Sequence, residues 1–259
     1  MAILNVTPDS FSDGGQFFDP EEAVRAGLAM ADARADVLDV GGESTRPGSD
    51  PVSSEEELRR VLPVIKRLAA EVDVPISIDT RRSEVATAAL DAGACVVNDI
   101  TAGRDPGMFE TVRRADAGMV LMHMQGDPKT MQAEPHYEDV VGEVRSFLAE
   151  RVEAAQAAGI PRERLCIDPG IGFGKTLDHN LSLMRHIGGL GTVGRPILVG
   201  PSRKSFIGRL TEADVDQRMP GTAGAVAWLA ANGAHVVRVH DVPEMLQVVR
   251  VVGAIRSAR

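Results

Sequence analysis

The sequence predicts an α/β protein, a single (β/α)₈ or TIM barrel with its active site at the C-terminal ends of the strands. Short apolar, β-branched segments alternate with longer amphipathic segments eight times, with no break in composition. The 259 residues suit one such barrel, so residues 1–259 are expected to form a single domain. Several apolar segments also end in a polar residue, as barrel strands that carry catalytic groups do. An open, doubly wound sheet is the alternative architecture.

The predicted strands are short apolar runs, as expected of parallel strands that are buried on both faces. They lie at Ile3–Val6, Val37–Val40, Ile76–Asp79, Cys95–Asn98, Met119–His123, Leu165–Asp168, Pro196–Val199 and Val236–Val239. The polar residues at or near their ends are Asn5, Asp39, Asp79, Asn98, His123, Asp168 and His240. In a closed barrel these side chains converge on one face.

Amphipathic segments between the strands predict the helices. These lie near Pro20–Arg34, Glu55–Ala70, Ser83–Ala92, Gly107–Arg114, Tyr137–Ala158, Leu181–Leu190, Gly221–Asn232 and Val242–Ile255. Asp19, and either Ser53 or Ser54, are the expected N-caps of the first two helices. Five longer Gly- and Pro-rich connections follow strands and would surround the same face: Thr7–Asp19, Gly41–Ser54, Met124–His136, Pro169–Asn180 and Gly200–Pro220.

Composition and charge exclude several classes of partner. The formal net charge of −9 disfavours nucleic acid and anionic membranes as general partners. The chain has no apolar run long enough to span a bilayer, and its start lacks the basic residues of a signal peptide. A cytoplasmic location is therefore expected. Cys95 and Cys166 lie in apolar runs and are expected to be buried, reduced thiols.

Polar groups after the first two predicted strands are candidates for binding a metal ion and an anion. Asn5 offers an amide oxygen of the kind that Mg²⁺ accepts. Thr45 and Arg46 offer a hydroxyl and a guanidinium that suit phosphate or carboxylate. Ordinary turn chemistry and a solvated arginine are the alternative interpretations of these loops.

Asp79, Asn98 and Asp168 form a different set, because each closes an apolar strand. A carboxylate at the end of a buried strand is costly unless something pairs with it. Carboxylate and amide groups together can bind the donor–acceptor edge of a flat heterocycle such as a pterin. Structural caps over the barrel are the alternative.

Three further segments suggest a phosphate site and a stacking face. DPGIGFGKT lacks the spacing of a Walker A loop, and its Phe173 offers a stacking surface or a core residue. Arg238 and His240 differ by two positions and so would share one side of a strand, unless they make only a surface salt bridge. The loop after the seventh strand adds Ser202, Arg203, Lys204 and Ser205. Loops after the last two strands commonly bind phosphate in such barrels.

Taken together, these segments resemble the dihydropteroate synthases, pterin-binding barrel enzymes of folate biosynthesis that sulfonamides inhibit. The matching stretches, in chain order, are NVTPDSFSDGG, ESTRPG, ISIDT, VVNDI, LMHMQG, DPGIGFGKT, SRKS and RVHD. They cover the chain from end to end. Two departures stand out: the chain starts almost on the first strand, and Pro201 directly precedes the SRKS serine.

The resemblance implies a transferase that joins (7,8-dihydropterin-6-yl)methyl diphosphate to p-aminobenzoate, giving 7,8-dihydropteroate and diphosphate. It also implies Mg²⁺ held by Asn5, and a homodimer. The residues implied to bind the pterin are Asp79, Asn98, Asp168 and Lys204. Those implied to line the diphosphate site are Thr45, Arg238 and His240. Those implied to close over p-aminobenzoate are Asp9, Phe11, Arg46, Pro47 and Ser205. The reacting centre would comprise Asp9, Arg46, Asp79 and Lys204.

Two rival functions share parts of this pattern. A pterin-binding methyltransferase barrel that handles methyltetrahydrofolate could use the same Asp79, Asn98 and Asp168, but it has no use for a diphosphate set. A non-catalytic pterin-binding paralogue is the other alternative, and the intact motif positions count against it. The ordinary family context around Phe11 and Pro47 leads us to expect sensitivity to sulfonamides.

Overall fold

The computed structural model describes residues 1–7, 19–44 and 48–258 of the chain. Its strands are β1 (Ala2–Asn5), β2 (Leu38–Gly41), β3 (Ile76–Asp79), β4 (Val96–Asp99), β5 (Gly118–Met122), β6 (Leu165–Asp168), β7 (Leu198–Val199) and β8 (Val236–Val237). Its helices are α1 (Pro20–Asp32), α2 (Ser54–Glu71), α3 (Ser83–Asp91), α4 (Met108–Arg114), α5 (Val140–Ala157), α6 (Leu177–Arg185), α7 (Ser205–Thr211), α8 (Met219–Asn232) and α9 (Val242–Ser257).

The strands form a closed parallel ring. Strands β1 to β6 pair in chain order, and β7 pairs with β8. Backbone hydrogen bonds close both remaining seams: Ile167 N donates to Pro196 O (2.9 Å), and Ile3 N donates to Val239 O (2.9 Å). The fold is therefore the predicted (β/α)₈ barrel, and the open-sheet alternative is wrong.

Helix starts follow local sequence signals. The Asp19 side chain accepts a hydrogen bond from Glu21 N (2.9 Å), with Pro20 as the first helical residue of α1. The Ser53 hydroxyl accepts one from Glu56 N (3.2 Å) at the start of α2. Both caps are as predicted, with Ser53 rather than Ser54 in the second position.

The core lies between the ring and the helices. Outward-facing strand residues such as Leu4, Val40 and Ile78 are almost fully buried together with the inner stripe of α2, which includes Val61 and Leu68. Removing this aliphatic surface from water is the main force that holds helices on the ring. None of the helices within the described ranges is long and apolar enough to cross a membrane.

Several predicted boundaries differ from the structure. The connection Gly200–Pro220 contains α7, which was not predicted because seven residues interrupted by Gly208 give a weak helical signal. The helix predicted at Leu181–Leu190 is α6 at Leu177–Arg185, followed by a 3₁₀ segment at Ile187–Val193.

The cysteine prediction is partly wrong. Both thiols are free, as expected, but Cys95 is exposed and Cys166 is half-buried. Cys95 lies one residue before β4, and so it escapes the packing that its apolar neighbours receive. Burial and the nearby carboxylate of Asp168 raise the pKa of the Cys166 thiol to about 12, so this thiol stays protonated at neutral pH.

A substitution in the loop after β6 tests the packing there. Gly170 has a φ of +65°, and a β-carbon added to it would lie 1.9 Å from the carbonyl oxygen of His123. We expect Gly170→Ala to lower the free energy of unfolding by about 2 kcal/mol or more. Gly189→Ala is the matched control, since nothing lies within 4 Å of its added β-carbon. Urea denaturation measures both, and equal stabilities would contradict this packing.

Candidate active site

Polar residues of neighbouring strands meet at the C-terminal face of the barrel. Asn5, Gly41, Asp79 and Asn98 are register partners across β1 to β4. Gly41 lies directly beside Asp79, since a β-carbon there would be in contact with that of Asp79 at 3.4 Å. Asn5, Asp79 and Asn98 are thus brought together on one face, as predicted from sequence. The prediction is wrong for His123, whose ring packs instead against Lys175 and Phe147 of α5.

A buried charge network links strands β2, β3 and β4 to the residue that follows β8. The Arg238 guanidinium donates from Nε to Asp39 Oδ2 (2.5 Å) and from Nη2 to Asp79 Oδ2 (2.7 Å). Asn98 Nδ2 donates to the same Asp39 oxygen (2.9 Å). The Asp39 side chain is fully buried and that of Arg238 is only 18% exposed. The surface salt bridge considered for Arg238 is therefore excluded, because its partners lie inside the barrel.

Burial sets the protonation of two strand-end carboxyls. Burial raises the pKa of Asp79 to about 7, with Asp39 adding to the effect and Arg238 opposing it. Burial also raises the pKa of Asp168, which Lys204 opposes. Asp168 Oδ1 accepts a hydrogen bond from Gly170 N (2.7 Å), so the carboxyl is fixed in direction. Carboxyls with perturbed pKa values at the end of a cleft are typical of binding and catalytic sites.

Lys204 and Phe173 form the other side of the site. The Lys204 ammonium donates to the Ile171 carbonyl and lies 4.5 Å from the centre of the Phe173 ring. Burial lowers the pKa of Lys204 to about 8, against the opposing effect of Asp168. The Phe173 ring packs on a small apolar cluster, whose members are Ile100, Met122, Met124 and Met131. An apolar surface beside fixed polar groups suits a flat heterocycle.

The polar side chains of the loop after β7 do not all contact the same group of residues. Ser202 Oγ lies 2.9 Å from His240 Nδ1, which joins the loops after β7 and β8. Arg203, in contrast, pairs with Asp241, which also lies next to the start of α9. Ser205 is exposed at the start of α7. The expected cluster of cations is therefore smaller than the sequence suggested.

The Asn5 side chain at the end of β1 fits a Mg²⁺ ion that takes most of its ligands from phosphate oxygens and water. Asn5 is half-buried at the end of β1, and its side-chain amide makes no hydrogen bond to any described residue. Mg²⁺ usually keeps several waters and takes other ligands from phosphate oxygens, so Asn5 could supply one oxygen beside a bound phosphate group. Within the described ranges, no group of three or more His, Cys, Asp and Glu residues could hold a metal without a substrate.

Comparisons with known proteins agree with this geometry. The sequence model of the pterin binding enzyme family matches residues 1–240. The chain belongs to this family. It is 46% identical to the dihydropteroate synthase of Escherichia coli K12 over 259 residues, covering all of this chain and 92% of the relative. It is 50% identical to that of Neisseria meningitidis serogroup C over 250 residues, covering 93% and 87%.

Solved structures of the family agree with the fold. A Yersinia pestis dihydropteroate synthase in a sulfonamide drug complex is 44% identical, with a TM-score of 0.94, covering 100% of this chain and 93% of that one. A Xanthomonas albilineans dihydropteroate synthase in complex with 7,8-dihydropteroate is 46% identical, with a TM-score of 0.91 and the same coverage. The resemblance inferred from the ordered motifs is confirmed.

Some of the site residues predicted from sequence lie outside the described residues. They are Asp9, Phe11, Thr45, Arg46 and Pro47. The described residues that flank the second loop are held by hydrogen bonds between charged side chains and the backbone of Val52. Glu43 Oε1 accepts from Val52 N (3.2 Å), and Arg82 Nη2 donates to Val52 O (2.6 Å).

The sequence pattern places Asp39 in a strand and assigns it no role. The structure shows it as the shared acceptor of Asn98 and Arg238. The signal was present in VLDVGG, where a carboxylate interrupts an apolar strand and so requires a buried partner. Nothing in the spacing, however, identifies that partner.

Removing Arg238 should destabilise the barrel in a pH-dependent manner. Arg238→Ala leaves Asp39 and Asp79 without their cation, which typically costs about 3–5 kcal/mol of folding free energy. Arg238 holds down the pKa of Asp79, so the pKa of Asp79 in the variant should exceed the wild-type value of about 7. As pH rises, ionising Asp79 then costs the folded variant more stability than it costs the wild type.

The loss of stability should therefore be larger near pH 8.5 than near pH 5.5. Urea denaturation at both pH values measures it. Arg256→Ala is the control, because Arg256 is exposed and donates only to the carbonyl of Ala230 among described residues. A loss that is independent of pH would contradict the coupling between Arg238 and Asp79.

Proposed function

We propose that this chain acts as a dihydropteroate synthase, the transferase that condenses (7,8-dihydropterin-6-yl)methyl diphosphate with p-aminobenzoate. The C–O bond between the pterin methylene and diphosphate breaks, a C–N bond to the amine forms, and the amine loses a proton. The observation that carries the proposal is the group formed by the buried Asn98 and Asp168 and the largely buried Asp79 side chain, beside the apolar surface under Phe173.

The polar groups match a pterin in number and kind. A pterin edge carries both hydrogen-bond donors and acceptors. Carboxylates accept from the donors, while the Asn98 amide and the Lys204 ammonium can serve the acceptors. Phe173 and the methionines beside it give the ring faces an apolar surface. Leaving a buried Asp168 unpaired is costly, so a ligand without the matching N–H groups should bind poorly.

The leaving diphosphate and the second substrate occupy the outer part of the site in this proposal. Arg238 and His240 line the diphosphate, with Thr45 from the second loop. Asn5 would hold Mg²⁺, which when bound neutralises developing negative charge on the diphosphate. Asp9, Phe11, Arg46, Pro47 and Ser205 close over p-aminobenzoate, with Asp9 and Arg46 nearest to the reacting atoms.

Charge separation gives the fixed groups their catalytic role. Breaking the C–O bond builds negative charge on diphosphate and positive charge on the pterin methylene. The ionised forms of Asp79 and Asp168 stabilise the positive charge on the methylene. Arg238 and His240 stabilise the negative charge on the diphosphate. Fixed dipoles and charges act strongly in this setting because their partners already hold them in place.

Two other functions remain as outcomes of the test. A methyltetrahydrofolate methyltransferase would bind a pterin without needing diphosphate. A non-catalytic paralogue would bind pterin and turn nothing over. The decisive assay measures diphosphate release from the pterin diphosphate with p-aminobenzoate and Mg²⁺ each omitted in turn. Release that requires both supports the proposal, and pterin binding without any release would overturn it.

We propose that sulfonamides compete with p-aminobenzoate. Both molecules present an aniline ring, so they should occupy the same subsite, and discrimination would require contacts with the part of the drug that extends beyond the substrate. The same assay, run with a sulfonamide, should show a raised KM for p-aminobenzoate and an unchanged kcat. An inhibition constant far above that KM would contradict a shared subsite.

Pterin affinity should fall as pH rises through the pKa of Lys204. Burial lowers that pKa to about 8, so the side chain is an ammonium below this value and loses its charge above it. Titration of Asp79 near pH 7 should affect the wild type and a Lys204 variant alike, whereas loss of the ammonium should weaken wild-type binding progressively above pH 8. Lys204→Arg is the control, because a guanidinium does not titrate in this range. Calorimetry across pH 6 to 10 measures both, and parallel profiles would remove Lys204 from the pterin contacts.

We propose a cytoplasmic homodimer, with residues 1–259 folded as one domain. The large exposed apolar side chains of the described residues all lie in the C-terminal part of the chain, between α7 and α9: Leu210, Val215, Met219, Trp228, Val251 and Ile255. Such a surface is typical of a protein interface. Sedimentation equilibrium should show a dimer that Ile255→Glu weakens and the α4 variant Arg114→Glu leaves intact. A monomeric wild type would contradict the proposal.

A further inference from the structure

Lys175 is a buried cation whose contacts within the described part of the chain are all to neutral groups. The residue lies at the end of the loop after β6 and is only 2% exposed. Among the described residues no carboxylate forms an ion pair with it. Its Nζ instead lies 2.9 Å from Phe173 O, 2.9 Å from His123 Nδ1 and 3.4 Å from His123 O. A buried ammonium is costly unless its donors are satisfied, so these three contacts are what keep it in place.

The donors and acceptors match in number. An ammonium has three N–H groups, and Lys175 has three acceptors around it. The His123 ring can accept at Nδ1 only when it is neutral, and burial with the neighbouring Lys175 charge lowers its pKa to about 3. Burial lowers the pKa of Lys175 itself to about 7, against the opposing effect of Asp168. The ring of His123 is held in turn by an edge contact with Phe147, at 4.9 Å between centroids.

The loop that Lys175 closes lies directly against the chain after β5. A β-carbon at Gly170 would be 1.9 Å from His123 O, and one at Gly174 would be 2.4 Å from Gln125 O. Side chains from the connection after β5 also donate to this loop: Gln132 Nε2 to Gly172 O (2.7 Å) and Tyr137 Oη to Gly174 O (2.9 Å). Lys175 is the only described cation that joins Phe173 to the end of β5.

Phe173 connects this support to the site. Its carbonyl accepts from Lys175, while its ring lies 4.5 Å from Lys204 Nζ and packs on the apolar cluster of Ile100, Met122, Met124 and Met131. We propose that Lys175 and His123 act as a positioning pair, which holds the Gly170–Gly174 loop on the end of β5 and so fixes Phe173 in the pterin site. Neither side chain touches the ligand. The inference rests on the proposed pterin-binding function.

The first arm of the test needs no ligand. Hydrogen exchange of the amides in the Gly170–Gly174 loop should become faster in Lys175→Met than in the wild type, while other elements keep their protection. Lys66→Met is the matched control, because Lys66 is exposed on α2. Unchanged exchange in the loop would overturn the positioning role. Should Lys175→Met fail to fold, Lys175→Gln, which keeps an N–H donor but no charge, carries the same comparison.

The second arm is a double-mutant cycle with Phe173→Leu. Lys175→Met should raise the KM for the pterin substrate about 10-fold, with kcat changed less than about threefold. In the Phe173→Leu background the same change should cost less than about threefold, because the residue acts through Phe173. Additive losses would show that Lys175 contacts the ligand itself, and a lowered melting temperature with unchanged KM would show a purely structural role. Either result overturns the proposal.

Failure of the wild type to bind pterin would instead contradict the proposed function. The hydrogen-exchange arm would still test whether Lys175 supports the loop.

Discussion

The pairing of Arg238 with Asp39 and Asp79 is the interaction on which the site depends. The three residues are far apart in the chain, separated by 199 and 159 positions, yet their side chains share two hydrogen bonds in a space that excludes most water. Neither carboxylate would be tolerable there alone. Because Asp39 also accepts from Asn98, one cation fixes the direction of three strand-end side chains. The polar surface is therefore built before any ligand arrives, which lowers the cost of binding.

Closure of the ring makes that pairing possible. Arg238 follows β8, and only the hydrogen bonds between the chain after β8 and β1 bring it opposite β2 and β3. An open sheet would leave β8 at an edge, with its arginine in water and the two aspartates buried without a cation. The electrostatics of the site and the topology of the barrel thus support each other.

The sequence predicted the barrel and most of the described polar surface because both depend on simple periodicities. Alternation of apolar runs identifies strands, and a polar residue that ends such a run must lie at their C-terminal face. Partners are harder to predict, since periodicity gives a side chain's face and not its contact. Arg203 and Lys204 show the limit. A φ of +56° at Arg203 turns the chain, so that Arg203 reaches Asp241 while the next residue reaches the Ile171 carbonyl. No strand or helix period describes that turn.

The choice between arginine and lysine follows the partner that each cation meets. Arg238 lies between two carboxylates and must stay charged, and a guanidinium does so even when buried. Lys204 and Lys175 contact carbonyl oxygens, and burial lowers their pKa values to about 8 and about 7. A lysine between Asp39 and Asp79 would present its N–H donors from a single nitrogen, whereas the guanidinium reaches the two carboxylates from separate nitrogens, so a lysine would not hold both in their present directions. An arginine at 175 would bring five donors to a space with three acceptors. The two buried amines are therefore suited to hold backbone, and the guanidinium to hold acids.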